Sequence, residues 1–255
     1  MTPPFTVAVA DHVGELVIDR PPVNALDTRG WFALAAAIEG LHADPAVRAI
    51  VIRAEGRGFC AGVDIKELQA HPDRILDANA GNLATFRAIH RGRVPVIAAA
   101  HGFVLGGGIG ICGSADVVLL SDCATLGVPE VDRGALGAGA HLQRLLPLQL
   151  VRRMYFTGET IGAAEAARHG GIEAVVPRAG LRDGALAVAR KIAAKSPAMI
   201  ALAKEALNGI EPADLEAQYR WEQGFTAQAY LTADSQKARD AFVAGGRPAD
   251  FSKKD

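Results

Sequence analysis

Cysteine is scarce: Cys60, Cys112 and Cys123 are an odd number at wide, unpatterned spacing, which gives neither a disulfide framework nor a metal site. They are expected to be reduced thiols. Clustered charge is missing as well. The formal net charge is −1 and no run of Lys or Arg exceeds the terminal Lys253-Lys254, so the chain lacks the basic footprint of a nucleic-acid binder. Apolar runs are broken by Gly, Pro or charge well before membrane-spanning length. Met1-Thr2-Pro3-Pro4 carries no charged-then-apolar leader, so a cytoplasmic protein without a membrane partner is expected. Repeats and low-complexity linkers are also absent. What remains is an ordinary soluble composition, 50% hydrophobic and rich in Ala and Gly. At 255 residues the chain is long enough to bury about three quarters of its unfolded surface.

Short β-rich runs at 5–10 and 14–18 read as a hairpin ended by Pro21-Pro22. Asp27 or Thr28 caps a helix running to Leu41, with Trp31, Leu34, Ile38 and Leu41 on one face. Buried strands are expected at 48–54, 94–100, 116–121 and 172–177, and a helix at 74–91. From Leu181 to Phe242 only helices are read. The organisation is therefore α/β, with a core over 1–195 and a helical region over 196–255.

Two glycine-bearing segments stand out. Leu105-Gly106-Gly107-Gly108 follows an apolar strand and leads into a helix, which leaves bare N–H groups at the positive end of a helix dipole. Upstream lies Gly58-Phe59-Cys60-Ala61-Gly62-Val63-Asp64-Ile65-Lys66-Glu67. Facing each other, these loops would make a two-donor oxyanion hole. Alone, the triplet is equally a site of close helix–strand packing.

Four segments in order, Arg20–Leu26, Phe59–Glu67, His101–Gly110 and Thr125–Gly134 with its Gly-Val-Pro-Glu, resemble the crotonase (enoyl-CoA hydratase/isomerase) superfamily. The resemblance spans nearly the whole chain. It implies a spiral of ββα turns with a C-terminal helical trimerisation region, forming a homotrimer or a dimer of trimers. It also implies an acyl-CoA thioester substrate, an enolate intermediate and no permanently bound cofactor, coenzyme A entering only as part of the substrate. On the matching positions, the backbone N–H groups of Val63 and Gly107 would hold the thioester oxygen and Glu130 would be the acid/base. Apolar neighbours, Val128 and Val131, would raise the pKa of Glu130. Arg20, Asn24, Ala25, Ala61, Asp64, Ile65 and Lys66 would hold coenzyme A, with Arg20 and Lys66 directed at its phosphates.

A hydratase of this family carries a second glutamate just after the triplet, and the corresponding position here is Gly110. The missing side chain would leave space for a bulky acyl group. It points to a single-carboxylate reaction, either double-bond isomerisation or C–C hydrolysis. Arg53–Phe59, Pro129–Gly137 and Glu222–Thr226 resemble the actinobacterial branch that opens a ring of a steroid-derived bicyclic CoA thioester by a reverse-Claisen reaction. Asp132, Arg133 and His141 are candidates to position water or bind a remote ketone or carboxylate, or else make structural ion pairs and trimer contacts. Cys60 has no histidine partner and is not read as a nucleophile. The walls of the acyl pocket are expected from 69–82 and the C-terminal helices. A non-catalytic acyl-CoA binder is the alternative from another class.

Overall fold

In a computed structural model, which describes residues 4–245 and 248–251, the chain folds as β1 (Phe5–Ala10), β2 (Val13–Ile18), α1 (Thr28–Ala43), β3 (Ala49–Ala54), α2 (Ile65–Ala70), α3 (Ile75–Arg91), β4 (Val96–Ala100), β5 (Phe103–Leu105), α4 (Gly107–Ser114), β6 (Val117–Ser121) and β7 (Thr125–Gly127). A 3₁₀ turn at Pro129–Arg133 follows, then α5 (Gly139–Leu142), α6 (Leu148–Thr157), β8 (Thr160–Gly162), α7 (Ala163–Ala167), β9 (Ala174–Val176) and α8 (Leu181–Ala193). The chain finishes with α9 (Pro197–Ile210), α10 (Leu215–Ala229) and α11 (Ala233–Gly245). Met1–Pro3 and Lys253-Lys254, which bear on the leader and basic-run arguments, lie outside the described residues.

The main sheet has the order β1-β2-β3-β4-β6-β9, parallel except for the β1–β2 hairpin. Its central strands are apolar without alternation because both faces are covered. Along β3, Ile50 and Ile52 join the large core with Trp31, Leu34 and Ile38 of α1. Ala49 and Val51 face the other way, into a second cluster with Leu181, Ala185 and Ala189 of α8. Asp27 caps α1 as expected, accepting from Gly30 N at 2.7 Å.

A smaller sheet has the order β5-β7-β8. It is extended by two single bridges, Cys60 to Val104 and Leu26 to Val63. The four motif segments, far apart in sequence, are thereby laid side by side: Leu26, then Cys60–Val63, then β5, then β7. No described helix is long and apolar enough to cross a membrane. One detail departs from the sequence reading. Ile65–Ala70 is a helix rather than loop, capped by Asp64, which accepts from Lys66 N at 3.0 Å. The segment after Pro129 is a 3₁₀ turn ending at Gly134 with φ +71°, a backbone that favours glycine.

Candidate active site

The first motif positions the second. Asn24, buried and at φ +53°, is held by Arg20 N donating to its Oδ1 at 2.7 Å. Its Nδ2 donates to the carbonyls of Glu55 (2.9 Å) and Gly58 (2.8 Å). This fixes Leu26, whose N–H donates to Gly62 O at 3.0 Å and whose carbonyl accepts from Asp64 N at 2.9 Å. In a parallel bridge of this kind the opposed residue, Val63, turns its own N–H to the other side.

On that other side lies Gly107, the first residue of α4, whose N–H has no acceptor within the helix. The two loops pack backbone to backbone. A methyl on Gly62 would lie 3.0 Å from Gly107 N, and one on Gly107 would lie 3.2 Å from Gly62 Cα and 2.5 Å from the Trp31 ring. Glycine is needed at both positions for this approach.

Glu130 reaches the same point from the 3₁₀ turn after β7. Gly106, at φ +50°, donates to Gly127 O at 3.1 Å, which ties the triplet to β7. The Glu130 residue keeps some exposure, but its Oε2 is sealed from solvent and has no hydrogen-bond partner. Burial pushes its carboxyl up to about 7, against the opposing pull of the nearby Arg133 cation. A carboxyl poised there can take and return a proton near neutral pH.

These groups line a cavity of about 60 Å³ together with Ala61, Ile65, Asn82, Leu136, Tyr219 and Tyr230. The C-terminal helices close it. Thr226 Oγ1 donates to Leu136 O (2.6 Å), and Gln223 Nε2 to Asn79 O (2.6 Å). Glu222 accepts from the N–H groups of Gly139 (2.8 Å) and Ala140 (3.2 Å) and from the Tyr155 hydroxyl (2.8 Å). The site is therefore not confined to residues 1–195, since Tyr219, Thr226 and Tyr230 of the helical region form part of its wall. Thr226 falls in the Glu222–Thr226 segment singled out in the sequence, whereas no local motif marks Tyr219 or Tyr230, and only long-range packing brings them in.

Several expectations are corrected. The space beside Gly110 is not open for an acyl group: a methyl there would fall 2.0 Å from Phe86 Cζ. His141 is buried against Phe86 and Tyr219, with ring centroids at 4.6 and 4.7 Å, and does not line the cavity. Burial drives it down to about 3, so it is neutral. Asp132 turns to the end of α6, its Oδ2 within 2.4 Å of where a methyl on Gly158 would be. Only Arg133 of that trio lines the cavity.

Among the residues named for coenzyme A, Arg20 is already paired with Asp27 at 3.0 Å and lies 3.9 Å from Asp64. Asn24 spends its amide on backbone. Lys66 is exposed on α2, Ala25 is half-buried, and Ala61 and Ile65 line the cavity. Cys60 is fully buried and burial pushes its thiol up to about 12, which fits no nucleophilic role.

The sequence profile of the enoyl-CoA hydratase/isomerase family matches residues 9–254, and the chain belongs to that family. It is 47% identical over 244 residues to a (7aS)-7a-methyl-1,5-dioxo-2,3,5,6,7,7a-hexahydro-1H-indene-carboxyl-CoA hydrolase of Rhodococcus jostii, covering 95% of each chain. It is 50% identical over 230 residues to the Mycobacterium tuberculosis protein of the same description, covering 89% of this chain and 93% of the relative. Among solved structures it resembles an enoyl-CoA hydratase from Mycobacterium avium subsp. paratuberculosis, with a TM-score of 0.86 at 25% identity over 98% of this chain and 99% of that one.

Proposed function

We propose that this enzyme hydrolyses a ring C–C bond of a bicyclic, diketone-bearing CoA thioester. The carrying observation is that Phe86 fills the place where a second carboxylate would have to stand, beside Gly110. Adding water to a double bond needs one group to activate the water and another to deliver a proton to carbon. Here Glu130 is the sole acid lining the cavity among the described residues. Two relatives, at 47% and 50% identity, bear the name of such a hydrolase, which supports the same reading.

In this reading Glu130 takes a proton from water, and the hydroxide adds to the ring ketone to give a tetrahedral alkoxide. The alkoxide collapses and the C–C bond beside the thioester breaks. Its electron pair becomes an enolate whose oxygen accepts from the N–H groups of Val63 and Gly107. Glu130 then returns its proton to the carbon, and the former ketone carbon, still tethered to the product, is a carboxylic acid that loses its proton to water and ends as a carboxylate. Each such backbone donor is worth about 3 kcal/mol of barrier. Lys66, with Ala61 and Ile65 of the cavity wall, is assigned to the coenzyme A moiety. We also propose self-association through the 196–255 region, because α9 exposes Met199, Leu202, Leu207 and Ile210.

The test is to incubate the enzyme with the 1,5-dioxo-indene-carboxyl thioester and, separately, with crotonyl-CoA. Ring opening with gain of one water, and negligible crotonyl-CoA hydration, supports the proposal. Fast crotonyl-CoA hydration overturns it in favour of a hydratase. Stabilisation by coenzyme A without conversion of either thioester makes the chain a non-catalytic binder.

A further inference from the structure

We infer that Arg133 is a catalytic residue that holds the ring-ketone oxygen as it becomes an alkoxide, and then the carboxylate that ring opening creates. This rests on the ring-opening reading above.

The reaction puts negative charge on two oxygens in succession, and the two amides serve the thioester oxygen. The ketone oxygen lies on the other side of the breaking bond and needs its own partner. Arg133 is the one cation lining the cavity among the described residues. Its guanidinium sits 4.6 Å from the centroid of Phe242, so one face is covered by the ring. None of the hydrogen bonds or salt bridges of the described residues involves its five N–H donors.

Arg133 is half-buried, and with no protein acceptor on its donors the guanidinium can turn to an oxygen that enters the cavity. The 3₁₀ turn explains the placement. With three residues per turn, Glu130 and Arg133 project to the same side, yet no N–O contact within 4.0 Å joins them. The carboxyl that moves the proton and the cation that meets the oxygen therefore stay separate. Asn82 Nδ2 is a buried donor on the wall without a partner, but it is neutral. A carboxylate product, which keeps a full charge, is better matched by the planar fork of an arginine.

When hydroxide adds, the new C–O bond forms and the ketone π pair moves to oxygen, where Arg133 meets it. On collapse that pair re-forms the C=O bond and the C–C pair leaves into the thioester enolate. The acid proton is lost to water, and Arg133 pairs with the resulting carboxylate.

The experiment compares two reactions on Arg133→Gln and Arg133→Lys. One is opening of the bicyclic diketone thioester. The other is exchange of the α-hydrogens of butyryl-CoA with deuterated water, which needs Glu130 and the two amides but involves no ketone. Exchange also reports that the variant is folded. For Arg133→Gln, with both reactions read on their high-pH plateaus where Glu130 is ionised in parent and variant alike, we expect kcat for ring opening to fall about a hundredfold while exchange stays near the parent rate, with partial recovery in Arg133→Lys. Unchanged ring opening overturns the inference. Equal loss of both activities also overturns it, since Arg133 would then act through Glu130 or the fold. A parent enzyme that exchanges but opens no ring would instead show that the ring-opening reading itself is wrong.

Discussion

The carboxylate of Glu130 occupies the space that a side chain on Gly106 would need: a methyl there would lie 1.8 Å from Oε1. The residue at the helix mouth and the acid/base are thus fitted to each other, although 24 positions separate them in sequence. The backbone at Gly106, with φ +50°, adds a second reason for glycine.

Gly106→Ala is therefore predicted to displace Glu130 rather than simply unfold the protein. A shift of about 1 Å at a reacting group costs roughly a hundredfold in rate. Steady-state kinetics on the ring-opening substrate should show that loss in kcat, with near-parent circular dichroism. Parent-like turnover would contradict the fit described here.

Glu130 also ties activity to stability through pH. Its folded-state value of about 7 lies above the ordinary 4.5. The stability linked to its protonated form is present below about pH 4.5 and is lost as pH rises through about 7. By the size of that shift the loss is at most about 3 kcal/mol. Glu130→Gln stays neutral, so urea unfolding should find it up to that much more stable than the parent at pH 8, and no more stable at pH 4. Activity moves the other way. The parent kcat/KM should rise with pH through about 7 as the base ionises, and the variant should be nearly inactive throughout.

Gly110→Glu, which restores the second glutamate of a hydratase, is predicted not to create hydratase activity. Phe86 already holds the space. Overpacking of this sort costs about 1–3 kcal/mol, to which burying a carboxyl adds. Combining it with Phe86→Ala should give a total destabilisation smaller than the sum of the two single changes, because the residues compete for one volume. Simple additivity in denaturant titrations would mean that they do not share it.

The exposed apolar face of α9 predicts self-association. Leu202 and Ile210 are 60% and 76% exposed in the isolated chain, more than a stable monomer gains by showing. Light scattering at micromolar concentration should report a trimer or hexamer. Leu202→Glu with Ile210→Glu should shift it to smaller species without loss of secondary structure. A monomeric parent protein would remove the oligomer from the account.

Much of this was legible in the chain. The parallel strands announce themselves as unbroken apolar runs, because each is covered on both faces, as the opposite burial of Val51 and Ile52 illustrates. The two glycine segments are readable because close backbone approach leaves no room for Cβ at Gly62 and Gly107. What was illegible is what long-range packing decides. Phe86 reads as one more apolar residue on a helix face, and nothing local says that its ring ends at Gly110. His141 and Asp132 look available from their nearness to Glu130 in sequence, but the turn of the chain sends one into an aromatic cluster and the other toward α6. Tyr219, Thr226 and Tyr230 belong to helices whose docking over the cavity depends on contacts such as Thr226 with Leu136, formed across 90 residues. Arg20 looks like a phosphate ligand until Asp27 and Asp64 are seen beside it.

The central claim is that the amides of Val63 and Gly107 converge on one oxygen under Glu130. A crystal structure with a CoA thioester analogue tests it most directly. The account predicts the thioester oxygen within hydrogen-bonding reach, about 2.7–3.2 Å, of both nitrogens, with the α-carbon facing the Glu130 carboxylate. A thioester oxygen turned to solvent, or held by only one of the two amides, would contradict it.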